Sequence, residues 1–175
     1  IVVKYAQIVS PEFHARHSAI GKRYRYLIYN LPYRAVFSRN QSWWVNQKLD
    51  IKRMEEAADV LIGEHDFSAF RAASCSSPNP VKNMREILIT KTLLSNSTLQ
   101  IEIEANSFLQ HMVRIITGTL VEVGEGRKNI DDVAEALKSG KRKLAGITAP
   151  AHGLYSLSVI YPQGMIKWPL EVIDN

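Results

Sequence analysis

The 175-residue chain has a single cysteine, Cys75, so no disulfide can form within it, and this usage fits a reducing compartment. No apolar run approaches the roughly 18–20 residues needed to cross a bilayer. The N-terminus also lacks the basic stretch, apolar core and small-residue cleavage site of a secretory leader. The chain is therefore expected to be cytoplasmic, with no membrane as a partner. Metal-ligand sets are missing as well. The five histidines (His14, His17, His65, His111, His152) are scattered, and the close pair His14 and His17 has no Cys or carboxylate at ligand spacing. Gly124-Glu125-Gly126 follows a helical pattern rather than a strand, which is the wrong context for a phosphate-cradling loop. There is no nucleophile elbow. Nor does the chain begin with Met: Ile1 to Ile8 has a strand pattern from its first residue, where natural termini tend to be polar and frayed. This reads as a cut inside a longer protein.

The hydrophobic fraction of 46% and charged fraction of 22% are those of a globular domain with a core that needs no covalent staples. Charge is distributed unevenly. Residues 1–50 carry eight basic and two acidic side chains, a net +6, which leaves −1 for the remainder. A one-sided basic excess points to a polyanionic partner, most commonly nucleic acid.

Strands are expected over residues 1–8, Gly21 to Asn30 and Ser42 to Val45. Asp50 caps a helix with apolar Ile51, Met54, Ala57, Ala58 and Leu61, closed by Gly63. Ala72 to Asn83 reads as a loop. A hairpin follows, with Ile87 and Ile89 before Ser95-Asn96-Ser97 and Leu99, Ile101 and Ile103 after it. Helices are expected from Phe108 to Val123 and from Asn129 to Ser139, and a last strand from Leu154 to Tyr161. The expected fold class is α+β, a mostly antiparallel β-sheet with helices packed on one face.

Four segments stand out chemically. In Phe13 to Asn30 (FHARHSAIGKRYRYLIYN), Arg16, Lys22, Arg23 and Arg25 are interleaved with Tyr24, Tyr26 and Tyr29. Cations contact phosphates and aromatic faces stack on bases, so this is the composition of an RNA-binding surface. Strand alternation puts Tyr24 and Tyr26 on one face and Arg23 and Arg25 on the other. Taken alone, the segment reads better as an amphipathic strand with core tyrosines. In Leu61 to Arg71 (LIGEHDFSAFR), a helix end runs into an aromatic turn whose Phe67 and Phe70 plug the core. In Ala105 to Gly126 (ANSFLQHMVRIITGTLVEVGEG), Arg114 sits inside an otherwise apolar helix. A charge there is costly unless it meets a carboxylate or phosphate, or snorkels to water. Ala149 to Pro162 (APAHGLYSLSVIYP) is a glycine-containing turn into a strand.

From about Phe13 to Pro162, in order and with compatible spacing, these segments resemble the tRNA pseudouridine synthase I family, the TruA type. The blocks FHARHSA, GKRYRY, LIGEHDFSAFR and FLQHMVR are specific to it. The resemblance implies a homodimeric enzyme that isomerises uridine in the tRNA anticodon stem-loop just 3′ of the anticodon, without a cofactor. It also implies base flipping. The family's nucleophile is an aspartate in an Arg-Thr-Asp-Ala-Gly motif in the N-terminal half, and this sequence has no such motif. None of Asp50, Asp59, Asp66, Asp131, Asp132 and Asp174 matches it. Residues 1–175 are therefore expected to be the C-terminal domain only, with 163–175 a tail, and to be inactive alone. By the same resemblance Tyr24 is the active-site tyrosine that stacks on the target base. Arg114 pairs with the missing aspartate, and Leu154 packs beside the tyrosine and base. Arg16, Lys22, Arg23 and Arg25 are weaker candidates for backbone contacts, on charge alone. The alternatives are a non-catalytic RNA-binding α+β module and a purely structural interaction domain.

Overall fold

A computed structural model describes residues 2–92 and 95–166. The central element is β1 (Gly21–Tyr29), where the alternation expected from sequence holds: Tyr26 and Ile28 are fully buried. On one side β1 pairs antiparallel with β5 (Ser95–Ala105), which pairs with β4 (Val81–Thr92) and through it with β3 (Gly63–Asp66). Two strands share its other side. β6 (Leu154–Ile160) pairs antiparallel along residues Gly21 to Tyr26, and the short β2 (Trp43–Trp44) pairs parallel with Ile28 and Tyr29. The six-stranded sheet is thus mostly antiparallel, as expected.

Three helices, α1 (Ile51–Asp59), α2 (Met112–Gly124) and α3 (Ile130–Ser139), pack against the sheet. Asp50 caps α1 by accepting from the backbone N–H of Arg53. A reciprocal Asn129–Asp132 capping box starts α3. Every residue of α2 is buried except Arg114. Its β-branched run is a modest helix former, so this helix depends on burial rather than propensity.

Several boundaries differ from expectation, among them the end of the expected loop Ala72 to Asn83, because β4 already begins at Val81, where β3 pairs with it. Residues 2–10 form no strand. Val2, Val3 and Ile8 are 84, 78 and 101% exposed, because an alternating pattern becomes a strand only where a paired edge and a core face receive it. Gly63 does not merely stop α1. It opens β3, which pairs residues 63–66 with 81–84, where the sequence suggests a turn. The hairpin strands run to Thr92 and from Ser95, so Ser95-Asn96-Ser97 belongs to β5. The proposed tail beyond 166, with Asp174, lies outside the described residues.

Candidate active-site cleft

Three distant segments meet at one cavity of about 220 Å³, and Tyr24, Phe108, His111, Arg114, Ala151 and Leu154 are among the residues lining it. Tyr24 comes from β1, placed between Ile103 of β5 and Ser156 of β6. A bulge shifts the β1–β6 register between Arg23 and Tyr24, the kind of irregularity that re-aims side chains beside a site. The Tyr24 ring stands edge-on to Phe108, with centroids 5.1 Å apart and planes at 88°.

Phe108 can reach Tyr24 because α2 begins later than the apolar spacing suggests. The helix starts at Met112, preceded by His111 in the left-handed region at φ 62°. That conformation is uncommon for a residue other than glycine and redirects the chain just before the helix. Phe108, His111 and Ala151 are among the lining residues that sequence reasoning passed over. Helical spacing absorbed Leu109 by coincidence and hid the break between Ser107 and Met112.

Arg114 lies one turn into α2, half-buried. Its Nε donates to the carbonyl of Ala149 at 2.6 Å, while the Ala149 N–H donates to the Arg114 carbonyl at 3.1 Å. This reciprocal clasp fixes the guanidinium plane. Among the described residues neither Nη group has a hydrogen-bond partner, and no carboxylate pairs with this cation. A fixed fork of N–H donors beside a cavity is the geometry that receives a carboxylate end-on.

The third wall is the turn Ala151–Gly153, which leads into Leu154 at the start of β6. It is seated on the fully buried Tyr26, whose hydroxyl donates to the Pro150 carbonyl at 2.6 Å. A β-carbon at Gly153 would fall 2.7–2.9 Å from the Tyr26 ring and the Leu27 carbonyl, so only glycine allows this approach. Burial pushes the Tyr26 phenol well above its ordinary range, and the Arg114 charge offsets part of that effect.

The remaining candidates lie elsewhere. Arg23 and Arg25 project from the face opposite Tyr24. Arg23 meets Glu86 at 2.7 Å, Glu104 at 2.8 Å and Glu102 at 3.3 Å, and Arg25 meets Glu102 at 2.7 Å. The Glu104 carboxylate raises the Arg23 guanidinium further above its ordinary value. Their charge is therefore neutralised within the chain. Lys22, the second residue of β1, falls on the Tyr24 side by alternation. Arg16 sits on an exposed turn that the Tyr161 hydroxyl ties to the end of β6 by donating to the Ala15 carbonyl at 2.7 Å. Neither Lys22 nor Arg16 lines the cavity.

Comparison with known proteins bears on the same segments. Residues 57–162 match the tRNA pseudouridine synthase family. The chain is 41% identical over 175 residues to tRNA pseudouridine synthase A of Hydrogenovibrio crunogenus, covering 100% of this chain and 65% of that protein. It is 44% identical over 161 residues to the protein of the same name from Acetivibrio thermocellus, covering 92% and 65%. With that from Coxiella burnetii the identity is 43% over 162 residues, covering 93% and 61%. The chain thus spans about 65% of the length of the first of these relatives.

Proposed function

The chain belongs to the tRNA pseudouridine synthase family, and on that premise we propose that it is the C-terminal domain of an enzyme converting uridine to pseudouridine in the tRNA anticodon stem-loop, just 3′ of the anticodon. One observation carries the reading: Tyr24, Arg114 and Leu154, contributed by three separate segments, line one cavity.

In this reading the target uridine leaves its stack and enters the cavity. Tyr24 stacks on the base, held upright by Phe108, and Leu154 packs beside both. The two free Nη groups of Arg114 receive the carboxylate of a nucleophilic aspartate supplied by an N-terminal half. In a cleft that excludes water, such a pair is oriented before the reaction begins. The bond from uridine N1 to ribose C1′ breaks, the base turns, and C5 bonds to C1′. The C5 proton leaves and N1 takes one up, so atoms balance without a cofactor. The intact enzyme is a cytoplasmic homodimer in this reading.

The test is tritium release from tRNA labelled at uridine C5. The chain alone is expected to release none, because no residue in it takes the nucleophile's role. A protein that also carries the aspartate-bearing half is expected to release tritium. There Arg114→Ala lowers the rate by roughly 10²-fold or more, the scale of losing a fixed electrostatic partner. Release by the chain alone, or full activity of the Arg114 variant, overturns the assignment.

A further inference from the structure

His152 lies between the two turn residues that line the Tyr24 cavity, and it lines a second cavity, of about 210 Å³, with Arg34, Arg39, Trp43 and Trp44. The Trp44 indole is held by its Nε1–H donating to the Leu31 carbonyl at 3.0 Å, and the Arg34 guanidinium carbon lies 4.7 Å from the ring centroid. Stacking occupies the face of a guanidinium and leaves its in-plane N–H donors available, so Arg34 is held in place and still able to bind. His152 is fixed as well: its Nε2 is 3.1 Å from the Ser42 carbonyl, which can only accept, so Nε2 carries a proton.

Charge separates this pair of arginines from Arg23 and Arg25. Neither Arg34 nor Arg39 has a carboxylate partner among the described residues. From Asn30 to Leu49 there is no Asp or Glu, against Arg34, Arg39 and Lys48. Two cations in a concave site without counter-charge recognise an anion, and arginine suits the phosphate oxygens in particular.

We propose that this second cavity is a phosphate subsite for the RNA strand whose target base enters the Tyr24 cavity. Arg34 and Arg39 take the backbone oxygens on the far side of the Ala151–Leu154 turn. The inference rests on the functional reading above and adds a subsite to it. Phosphate contacts of this kind set register and orientation without reading sequence. They fix where the strand runs as it leaves the cleft, and hence which nucleotide reaches Tyr24.

Arg34, Arg39 and the described lining of both cavities belong to this chain, so the chain alone is expected to bind. A fluorescently labelled anticodon stem-loop RNA is titrated with the chain over a salt series, followed by anisotropy, for the parent, for Arg34→Ala with Arg39→Ala, and for Arg34→Lys with Arg39→Lys. The double alanine variant is expected to bind roughly tenfold more weakly at physiological salt. Its slope of log Kd against log salt should fall by roughly one per arginine. The lysine variant keeps the slope and loses part of the affinity, because it keeps the charge but not the planar fork. Both arginines are exposed, so neither variant is expected to disturb the fold. Parent affinity and slope in the alanine variant, or no binding by the parent, overturns the subsite. So does a change of oligomeric state on sedimentation with RNA binding intact, which would assign the cavity to a protein contact. Tritium release by the aspartate-completed protein on labelled tRNA separates the two levels. Release alongside an unaffected alanine variant removes the subsite alone, and absence of release removes the reading beneath it.

Discussion

Gly118→Ala sets two effects of opposite sign against each other. Gly118 is in the middle of α2, where alanine is the better helix former by about 1 kcal/mol. On propensity alone the variant would be the more stable protein. Its β-carbon, however, would lie 2.0 Å from the carbonyl oxygen of Ile147 and 2.9 Å from its carbonyl carbon. Overpacking a close-packed interior costs about 1–3 kcal/mol when flexible side chains can yield. Here the neighbour is backbone, and the strand of chain it belongs to is bound along α2. The Gly146 N–H donates to Thr119 Oγ1 at 2.8 Å, the Ile147 N–H to Glu122 Oε1 at 3.3 Å, and the Ala149 N–H to the Arg114 carbonyl at 3.1 Å. Moving Ile147 strains all three. The steric cost therefore belongs at the upper end of that range or above it, and the expected net loss is about 2–3 kcal/mol. In urea this lowers the midpoint by about 1 M or more, and in a thermal scan it lowers Tm by roughly 4–12 °C. An unchanged or raised midpoint would refute the reasoning: propensity would then govern, and α2 would not be in contact with Ile147.

Tyr26→Phe leaves the Pro150 carbonyl without its donor and is expected to cost about 1–2 kcal/mol at neutral pH, measured by urea unfolding. It also carries a pH signature. Burial raises the folded-state phenol above its ordinary value of 10.0, so on raising the pH the unfolded chain sheds this proton first. Stability is then fully present below about pH 10 and lost above it, by up to about 1.4 kcal/mol per pH unit. The variant should lack that slope in parallel urea titrations, and an identical slope would refute the assignment. Glu104→Gln weakens the hold on Arg23 and Arg85 across the outer sheet face. With these groups partly screened by solvent, the expected loss is about 1 kcal/mol and shrinks as salt is added, which unfolding at two ionic strengths checks.

Much of the architecture was legible before any coordinates. Most apolar repeats with a definite period were followed by the element they imply. The 2-residue alternation of Tyr24 and Tyr26 set the faces of β1, the cap Asp50 marked the start of α1, and the segment Asn129 to Asp132 marked the start of α3. The failures share a cause. Residues 2–10 have a strand's pattern but no described edge to pair with, while β3 has a polar sequence, GEHD, and forms because β4 offers an edge. Strand formation is a property of two segments, and one segment's sequence contains half of the information.

The site divides in the same way. Residue type alone singled out Arg114, because a charge in an apolar helix is a local departure from pattern, whereas Tyr24 was marked out from the other tyrosines of its strand only by the family resemblance. That the Arg114 Nη groups stay free while Nε is clasped by Ala149 depends on a contact thirty-five residues away in sequence. So does the separation of Arg23 and Arg25, paired with glutamates of neighbouring strands, from Arg34 and Arg39, which lack carboxylate partners among the described residues. Composition counts all four as equal positive charges. Only folding decides which cations are neutralised, because a charge is satisfied by what lies within a few ångströms in space, and sequence distance does not measure that.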